Sequence, residues 1–188
     1  MAKETILVLL LSVTAALLLT GSDACDGAPS MAAMAACQKA STGPLYQLCA
    51  NTLGTSPEAE EVTNYVVAAA NAATQIYVAT KEAAGKVLAD PSSSEDMKSA
   101  CRTCCNKYDQ AHMLVAGVID QLHSCSLTDI RTDCATAVAA IDDCATAVLP
   151  VGGNTSLYAM VLLGRDRSVL VLRLAMLLVP NKLVKLAA

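Results

Sequence analysis

Residues 97–148 read MKSACRTCCNKYDQAHMLVAGVIDQLHSCSLTDIRTDCATAVAAIDDCATAV, and this stretch decides the fold. Its apolar residues recur in steps of three and four, the spacing of one face of an α-helix. The pattern predicts helices over residues 95–123 and 127–149. A connection of about four residues requires two such helices to lie antiparallel. The predicted core positions are Met97, Cys101, Cys104, Tyr108, Ala111, Val115, Val118 and Leu122 in the first helix, and Leu127, Ile130, Cys134, Ala137, Ile141, Cys144 and Val148 in the second.

Two further long helices are predicted, over residues 58–88 and 156–179. Proline and acidic residues at 57–61 suit the start of the first, because the N-terminal end of a helix favours negative charge. The stretch 168–174 alternates partly like a strand, but the Leu, Met and Ala content favours a helix. The core positions predicted for the first of these helices are Val62, Val66, Ala69, Ala73, Ile76, Ala83 and Val87.

Shorter signals punctuate the chain between these helices. Ser92 and Glu95 fit a capping box for the helix at 95–123. All six prolines fall between the periodic stretches, and Pro150–Gly153 is predicted to be a loop. Residues 30–56 are rich in turn signals and predict two short helices that form a hairpin. The predicted fold is therefore all-α, an up-and-down four-helix bundle with an N-terminal helical hairpin.

The first 24 residues have the pattern of a secretory signal peptide. Lys3 precedes an apolar stretch of about 14 residues, too short for a comfortable membrane span. Small residues at Ser22 and Ala24 suit cleavage after Ala24. The predicted organisation is a signal peptide at 1–24, the hairpin at 25–56, the bundle at 57–180 and a loose tail at 181–188. No membrane segment is expected after cleavage, because four charged residues interrupt the apolar stretch at 156–179.

The nine cysteines are typical of an oxidising compartment and can be paired in part. Cys104 and Cys144 lie at the same height on adjacent antiparallel helices, close enough for a disulfide. Cys37 and Cys49 bracket a Gly-Pro turn and would clasp the hairpin. The remaining five are Cys25, Cys101, Cys105, Cys125 and Cys134, of which a monomer keeps at least one as a free thiol.

Other functional classes find little support in the sequence. Cys101-Arg-Thr-Cys104 followed by Cys105 offers three sulfurs, but no second ligand pair follows, so no metal or cofactor is predicted. The net charge of −4 and the absence of Trp and Phe exclude a typical nucleic-acid surface. His112 and His123 have no nucleophile or carboxylate motif beside them, so the chain is not predicted to be an enzyme. Asn154-Thr155-Ser156 is a glycosylation sequon.

Two motifs resemble the plant invertase and pectin methylesterase inhibitor family. Residues 37–53 (CQKASTGPLYQLCANTL) resemble the hairpin motif of that family. Residues 100–111 (ACRTCCNKYDQA) are similar to its Ala-Leu-x-x-Cys-x-x-x-Tyr-x-x-Ala motif, with Cys101 at the Leu position. Cys144 matches the fourth cysteine of the family. The resemblance implies a secreted protein inhibitor in the apoplast or cell wall, with the vacuole as an alternative location.

The target that the resemblance implies is pectin methylesterase, held by polar faces of the bundle helices. The residues nominated for this contact are Asn106, Asp109, Gln110 and Met113, which follow Cys104. The alternative target is acid invertase. The Pro-Lys-Phe motif of invertase inhibitors would fall near 127–130, where this chain reads Leu-Thr-Asp-Ile. A second alternative is a prolamin-type lipid-binding protein, suggested by the Cys104-Cys105 pair, although the Cys-x-Cys element of that pattern is missing.

Overall fold

The computed structural model describes residues 25–178 and is helical over most of that range. The predicted signal peptide (1–24) and tail (181–188) lie outside the described residues. The chain begins with strand β1 (Ser30–Ala32), helix α1 (Ala33–Ala40), helix α2 (Pro44–Leu53) and strand β2 (Ala59–Glu61). Four long helices follow: α3 (Val62–Ala89), α4 (Glu95–His123), α5 (Ile130–Gly152) and α6 (Ser156–Leu178).

The four long helices form the predicted up-and-down bundle. Each helix packs against the next along the chain, and α6 closes the bundle against α3. The hairpin of α1 and α2 packs on α6 and α3 at one end. The all-α, disulfide-clasped fold class is therefore confirmed, and the helix predicted over 156–179 forms without a strand at 168–174.

The start of the first long helix was predicted four residues too early. Ala59–Glu61 pairs with Ser30–Ala32 in a two-stranded antiparallel ladder, with Ser30 opposite Glu61. The Tyr65 hydroxyl donates to the carbonyl of Met31 at 2.9 Å, which ties α3 to β1. Glu60 and Glu61 therefore belong to a strand, because a partner distant in the sequence takes up their backbone groups.

The predicted capping box at Ser92 and Glu95 is wrong by two residues. The N-cap of α4 is Ser94, whose side-chain oxygen accepts a hydrogen bond from the backbone N–H of Met97 at 3.2 Å. Ser92 instead donates through its backbone N–H and its hydroxyl to the carboxylate of Asp90. The turn between α3 and α4 thus uses Ser92, leaving Ser94 to begin the helix.

Helix α5 runs through Pro150 to Gly152, where a loop was predicted. A proline inside a helix removes the hydrogen bond to the carbonyl four residues earlier. That carbonyl belongs to Thr146. Thr146 is an exposed residue, so water can replace the lost hydrogen-bond donor. Pro150 therefore lies in the last turn of α5 and does not separate α5 from the next helix.

The core of the bundle matches the predicted positions on α4 and α5 but departs on α3. On α4 and α5 the predicted positions are buried except Met97 and Leu127, which are half-buried. On α3 the buried stripe passes through Tyr77, Thr80 and Ala84, whereas Ile76, Ala83 and Val87 are half-buried. The rings of Tyr77 and Tyr108 meet edge to face, with centroids 5.4 Å apart.

Helix α5 has the length and composition of a membrane span, with a window of mean hydropathy 1.5. In this structure one face of α5 packs against α4 and α6. The side chains on that face, such as Ile141 and Val148, are fully buried in the bundle core. This position accounts for the apolar residues on the buried face of α5, which is about a third of the window.

Candidate functional site

The four residues nominated for partner binding lie together on the outer face of α4. Asn106, Asp109, Gln110 and Met113 are all exposed, and Met113 has 69% of its surface accessible. Their spacing of three, four and seven residues places them along about 10 Å of one helix face. The structure therefore brings these residues into one continuous surface, which we call the α4 face.

Ion pairs to both neighbouring helices border the α4 face. Lys81 of α3 pairs with the carboxylate of Asp109, and Lys107 pairs with Asp143 of α5 at 2.6 Å. Both pairs are largely exposed, so each contributes little to stability. Their effect on the charge of the surface is larger, because they neutralise the carboxylates of Asp109 and Asp143. The groups left free for contact are the amides of Asn106 and Gln110 and the thioether of Met113.

The Cys104–Cys144 disulfide lies on the buried side of α4, opposite the α4 face. The two Cα atoms are 4.5 Å apart, and both residues are fully buried. Cys37 and Cys49 are also joined, with 5.6 Å between their Cα atoms. The first bridge fixes α4 to α5 at mid-height, and the second closes the turn between α1 and α2.

A third disulfide joins Cys25 to Cys125, a pair that helix geometry did not predict. Cys125 follows α4 in the turn to α5 and has a positive φ of 53°. Cys25 stands 100 residues earlier. The β1–β2 ladder positions the start of the chain, and with it Cys25, close to Cys125. Helix periodicity does not predict this ladder.

Three cysteines remain as thiols, Cys101, Cys105 and Cys134. Burial and, to a smaller extent, Asp133 raise the pKa of Cys134 to about 12. Burial also raises the pKa of the Cys101 thiol. The sulfur of Cys104 is bonded to Cys144, which leaves Cys101 and Cys105 as the free thiols of segment 101–105. Residues 25–178 contain no cluster of three metal-ligating side chains.

The segment at 127–130, where an invertase-binding motif would fall, leads into α5. Thr128 and Asp129 are exposed, but Ile130 is fully buried in the core. The last of the four residues therefore stabilises the bundle and does not face a partner. Leu127 is half-buried against the same core.

The sequon lies in the short connection between α5 and α6. Asn154 is exposed, and Ser156, which carries the sequon hydroxyl, is the exposed first residue of α6. The Thr155 hydroxyl donates to the carbonyl of Gly152 at 2.6 Å and shapes the turn. Glycosylation of Asn154 stays a prediction.

A cavity of about 740 Å³ opens away from the centre of the α4 face. Its walls come from the first half of α3, the end of α4 and the start of the chain. Among the lining residues are Cys25, Glu61, Asn64, Asn71 and His123. Sequence reasoning nominated none of them for this site, because the cavity exists only where β2 and Cys25 are brought beside α3 and α4.

The fold is similar to that of a known plant protein. The match is to a crystal structure described as mutant form A of a pectin methylesterase inhibitor from Arabidopsis. The TM-score is 0.66, the identity is 16%, and the match covers 80% of this chain and 99% of that one. No family model matches the sequence. No curated protein matches it either. At this identity the likeness is one of fold.

Proposed function

We propose that this protein is a secreted inhibitor of pectin methylesterase that binds the enzyme without a covalent bond and occludes its active-site cleft. The observation that carries the proposal is the fold match, which extends over 99% of a pectin methylesterase inhibitor. The same ordered cysteines and helix motifs led to this family from the sequence. An inhibitor of this kind needs no catalytic group of its own, only a rigid surface.

The α4 face has the properties that such a surface needs. Met113 offers a flexible apolar side chain that adapts to an irregular groove. Asn106 and Gln110 offer amides that both donate and accept hydrogen bonds. The disulfide on the buried side of α4 holds α4 against α5, so little conformational entropy is lost on binding.

The disulfides support the secreted location that the proposal requires. Three bridges are present among residues 25–178, including one that spans 100 residues of chain. Bridges of this number persist in oxidising compartments and are rare in the cytosol. Apoplast or cell wall is therefore the location in which the inhibitor would meet its target.

The test is a titration of the disulfide-bonded mature chain against a plant pectin methylesterase at mildly acidic pH, with acid invertase in parallel. We expect stoichiometric loss of esterase activity and unchanged invertase activity. Full activity of both enzymes at micromolar excess of the protein would overturn the proposal. Inhibition of invertase alone would replace the proposed target by the alternative one.

A pair of variants tests the α4 face itself. Met113→Ala is expected to weaken inhibition at least tenfold, or about 1.4 kcal/mol of binding free energy. The matched control is Leu163→Ala on α6, which removes another exposed apolar side chain (39% accessible) from a different helix. Equal inhibition by both variants would remove the α4 face from the interface.

A further inference from the structure

The carboxylate of Glu61 lies beside the first described residue of the chain. One of its oxygens, Oε1, accepts a hydrogen bond from the backbone N–H of Cys25 at 3.2 Å. The same oxygen accepts a hydrogen bond from the Thr63 hydroxyl. Among residues 25–178 no lysine, arginine or histidine forms an ion pair with Glu61. A half-buried carboxylate is thus aimed at a backbone nitrogen, with no cation to balance it.

We propose that the chain is cut between Ala24 and Cys25 and that Glu61 then binds the α-ammonium group of Cys25. Hydrolysis by a signal peptidase adds water across the Ala24–Cys25 peptide bond, leaving a carboxylate on Ala24 and an amine on Cys25. At neutral pH that amine takes up a proton. The backbone N–H of Cys25, which now donates to Glu61, is then replaced by a positively charged α-ammonium group. This group supplies the cation that Glu61 lacks.

The structure holds the Cys25 nitrogen in place for this role. Cys25 is 94% buried, being 6% accessible, and its side chain is bonded to Cys125. The backbone N–H of Ala28 donates to the Cys25 carbonyl at 2.9 Å. The new terminus therefore cannot swing away from Glu61. A signal peptide is removed during secretion, so the amine of Cys25 is free before the chain completes its fold.

Room for a charged group exists in the cavity that Cys25 lines. Cys25 and Glu61 both line the 740 Å³ cavity, together with Thr63 and Asn64. The α-ammonium has three hydrogens, and water in the cavity can accept those that Glu61 does not. The ammonium is thus neutralised by Glu61 and solvated from the cavity, which avoids the cost of a buried unpaired charge.

The pairing predicts a pH dependence that identifies the amine. A carboxylate at hydrogen-bond distance raises the pKa of an α-amine above its ordinary value of about 8. The pair therefore stabilises the fold below that ordinary value and is lost as the pH rises through the raised one. The other titratable groups on the surrounding elements are Asp26, Glu60 of β2, Tyr65 of α3 and His123 of α4.

The first arm of the test is the position of the cut. The full precursor is secreted from a eukaryotic host, and its N-terminus is read by intact mass and terminal sequencing. We expect the secreted protein to begin at Cys25 with a free amine. A terminus at any other residue, or a blocked amine, would overturn the proposal.

The second arm tests the pairing with matched variants of the secreted protein. Glu61→Gln is expected to lower Tm by about 2–4 °C at pH 7.5, the effect of about 1 kcal/mol in a chain of this size. At pH 10 the loss should disappear, because the amine is then neutral. Glu60→Gln, on the exposed neighbour in β2, should change Tm little at either pH.

A variant that carries Gly-Ser before Cys25 distinguishes the effect of the ammonium charge from that of the hydrogen bond to Glu61. It keeps the N–H that donates to Glu61 but moves the ammonium away from the carboxylate. In this background Glu61→Gln should cost the same at pH 7.5 and pH 10. A pH-independent loss in the secreted protein as well would show that Glu61 binds only the N–H and would overturn the ammonium pairing. Other alkaline titrations cancel, because each variant is compared with its own parent.

Discussion

The hydroxyl oxygen of Tyr108 lies 2.6 Å from the point where a Cβ atom on Gly164 would stand. A Cβ atom does not tolerate so close a contact. The absence of a side chain at Gly164 in α6 therefore leaves the space that the Tyr108 ring of α4 occupies. Both residues are buried, and neither backbone can shift without disturbing the bundle core.

Gly164→Ala is therefore expected to destabilise the protein. Overpacking a core costs about 1–3 kcal/mol, and the helix propensity of Ala returns about 1 kcal/mol. We expect a net loss of about 1 kcal/mol in urea unfolding. The control is Gly117→Ala on α4, where a Cβ meets nothing within 4 Å and the same propensity gain should raise stability. A Gly164→Ala protein as stable as the Gly117→Ala protein would refute the proposed contact.

Tyr108→Phe is expected to be neutral or stabilising. The Tyr108 hydroxyl is buried and forms no hydrogen bond of ordinary geometry among the described residues; the neighbouring Thr80 hydroxyl already donates to the carbonyl of Ile76. Removing an unsatisfied polar group recovers its desolvation penalty, which is about 1–3 kcal/mol at most. Tyr77→Phe is the contrasting variant, because the Tyr77 hydroxyl lies 2.5 Å from the Ser168 hydroxyl. Loss of this hydrogen bond should lower the free energy of unfolding by about 1 kcal/mol.

The double variant Tyr108→Phe with Gly164→Ala tests both statements at once. Removing the hydroxyl removes the atom nearest to the new Cβ, so the double variant should be more stable than Gly164→Ala alone. The measurement is a double-mutant cycle in urea. Strict additivity of the two changes would mean that the Tyr108 hydroxyl and Gly164 do not interact.

The sequence predicted the bundle best where core positions were strictly periodic. On α4 and α5 the three-four steps identified Cys104 and Cys144 as neighbours, because two antiparallel helices with a short turn leave one register. On α3 the same rule failed after Ala73. There Tyr77 turns inward to meet Ser168 and Tyr108, and these are contacts with helices distant in the chain. Periodicity alone cannot indicate which of two adjacent positions a bulky residue will draw into the core.

The surface was only partly predictable for the same reason. Asn106, Asp109, Gln110 and Met113 share a face because helix geometry is local. The pairing of Cys25 with Cys125 and the cavity beside it depend on β1 meeting β2, an association of residues about 30 apart. Strands of three residues have almost no recognisable sequence pattern. The β1–β2 ladder, which positions Cys25, was therefore not predicted.

Alkaline pH is expected to destabilise the protein through Cys134. Burial and Asp133 raise the pKa of the folded-state thiol to about 12, whereas an exposed thiol ionises near pH 8.5–9. Between these values the folded state binds one proton more than the unfolded state. Its stability therefore falls as the pH rises, by about 1.4 kcal/mol per pH unit. Burial, which also raises the pKa of Tyr77 to about 12, adds to the loss above pH 10.

Cys134→Ala should flatten this dependence. The variant is expected to be less stable at pH 8 by about 1–2 kcal/mol because of the lost side-chain volume. Between pH 9 and pH 10 it should lose less stability than the parent. Urea unfolding at pH 8, 9 and 10 measures both slopes, and peptide mapping verifies that the three disulfides are unchanged. Parallel slopes in the two proteins would show that Cys134 ionises as freely in the folded state as in the unfolded chain.

Removal of the two clasping disulfides is expected to have unequal effects. In the chain-entropy relation, closing 40 residues between Cys104 and Cys144 contributes about 4 kcal/mol. Closing 12 residues between Cys37 and Cys49 contributes about 3 kcal/mol. Replacing the first pair by Ala should therefore lower the free energy of unfolding more than replacing the second. The difference should be larger than the entropy alone gives, because Cys104 and Cys144 also lie in the centre of the bundle core.

The functional consequence of the two replacements should differ as well. Loss of Cys104–Cys144 removes the covalent link between α4 and α5, so the α4 face becomes more mobile and inhibition that depends on it should weaken. Loss of Cys37–Cys49 loosens a hairpin that packs on α6 and α3, far from that face, and should leave inhibition intact at temperatures where the protein is folded. Cys105→Ser, which removes a free thiol and no bridge, is the control in both assays. Weaker inhibition after loss of the hairpin bridge alone would move the contact surface from α4 to the N-terminal hairpin.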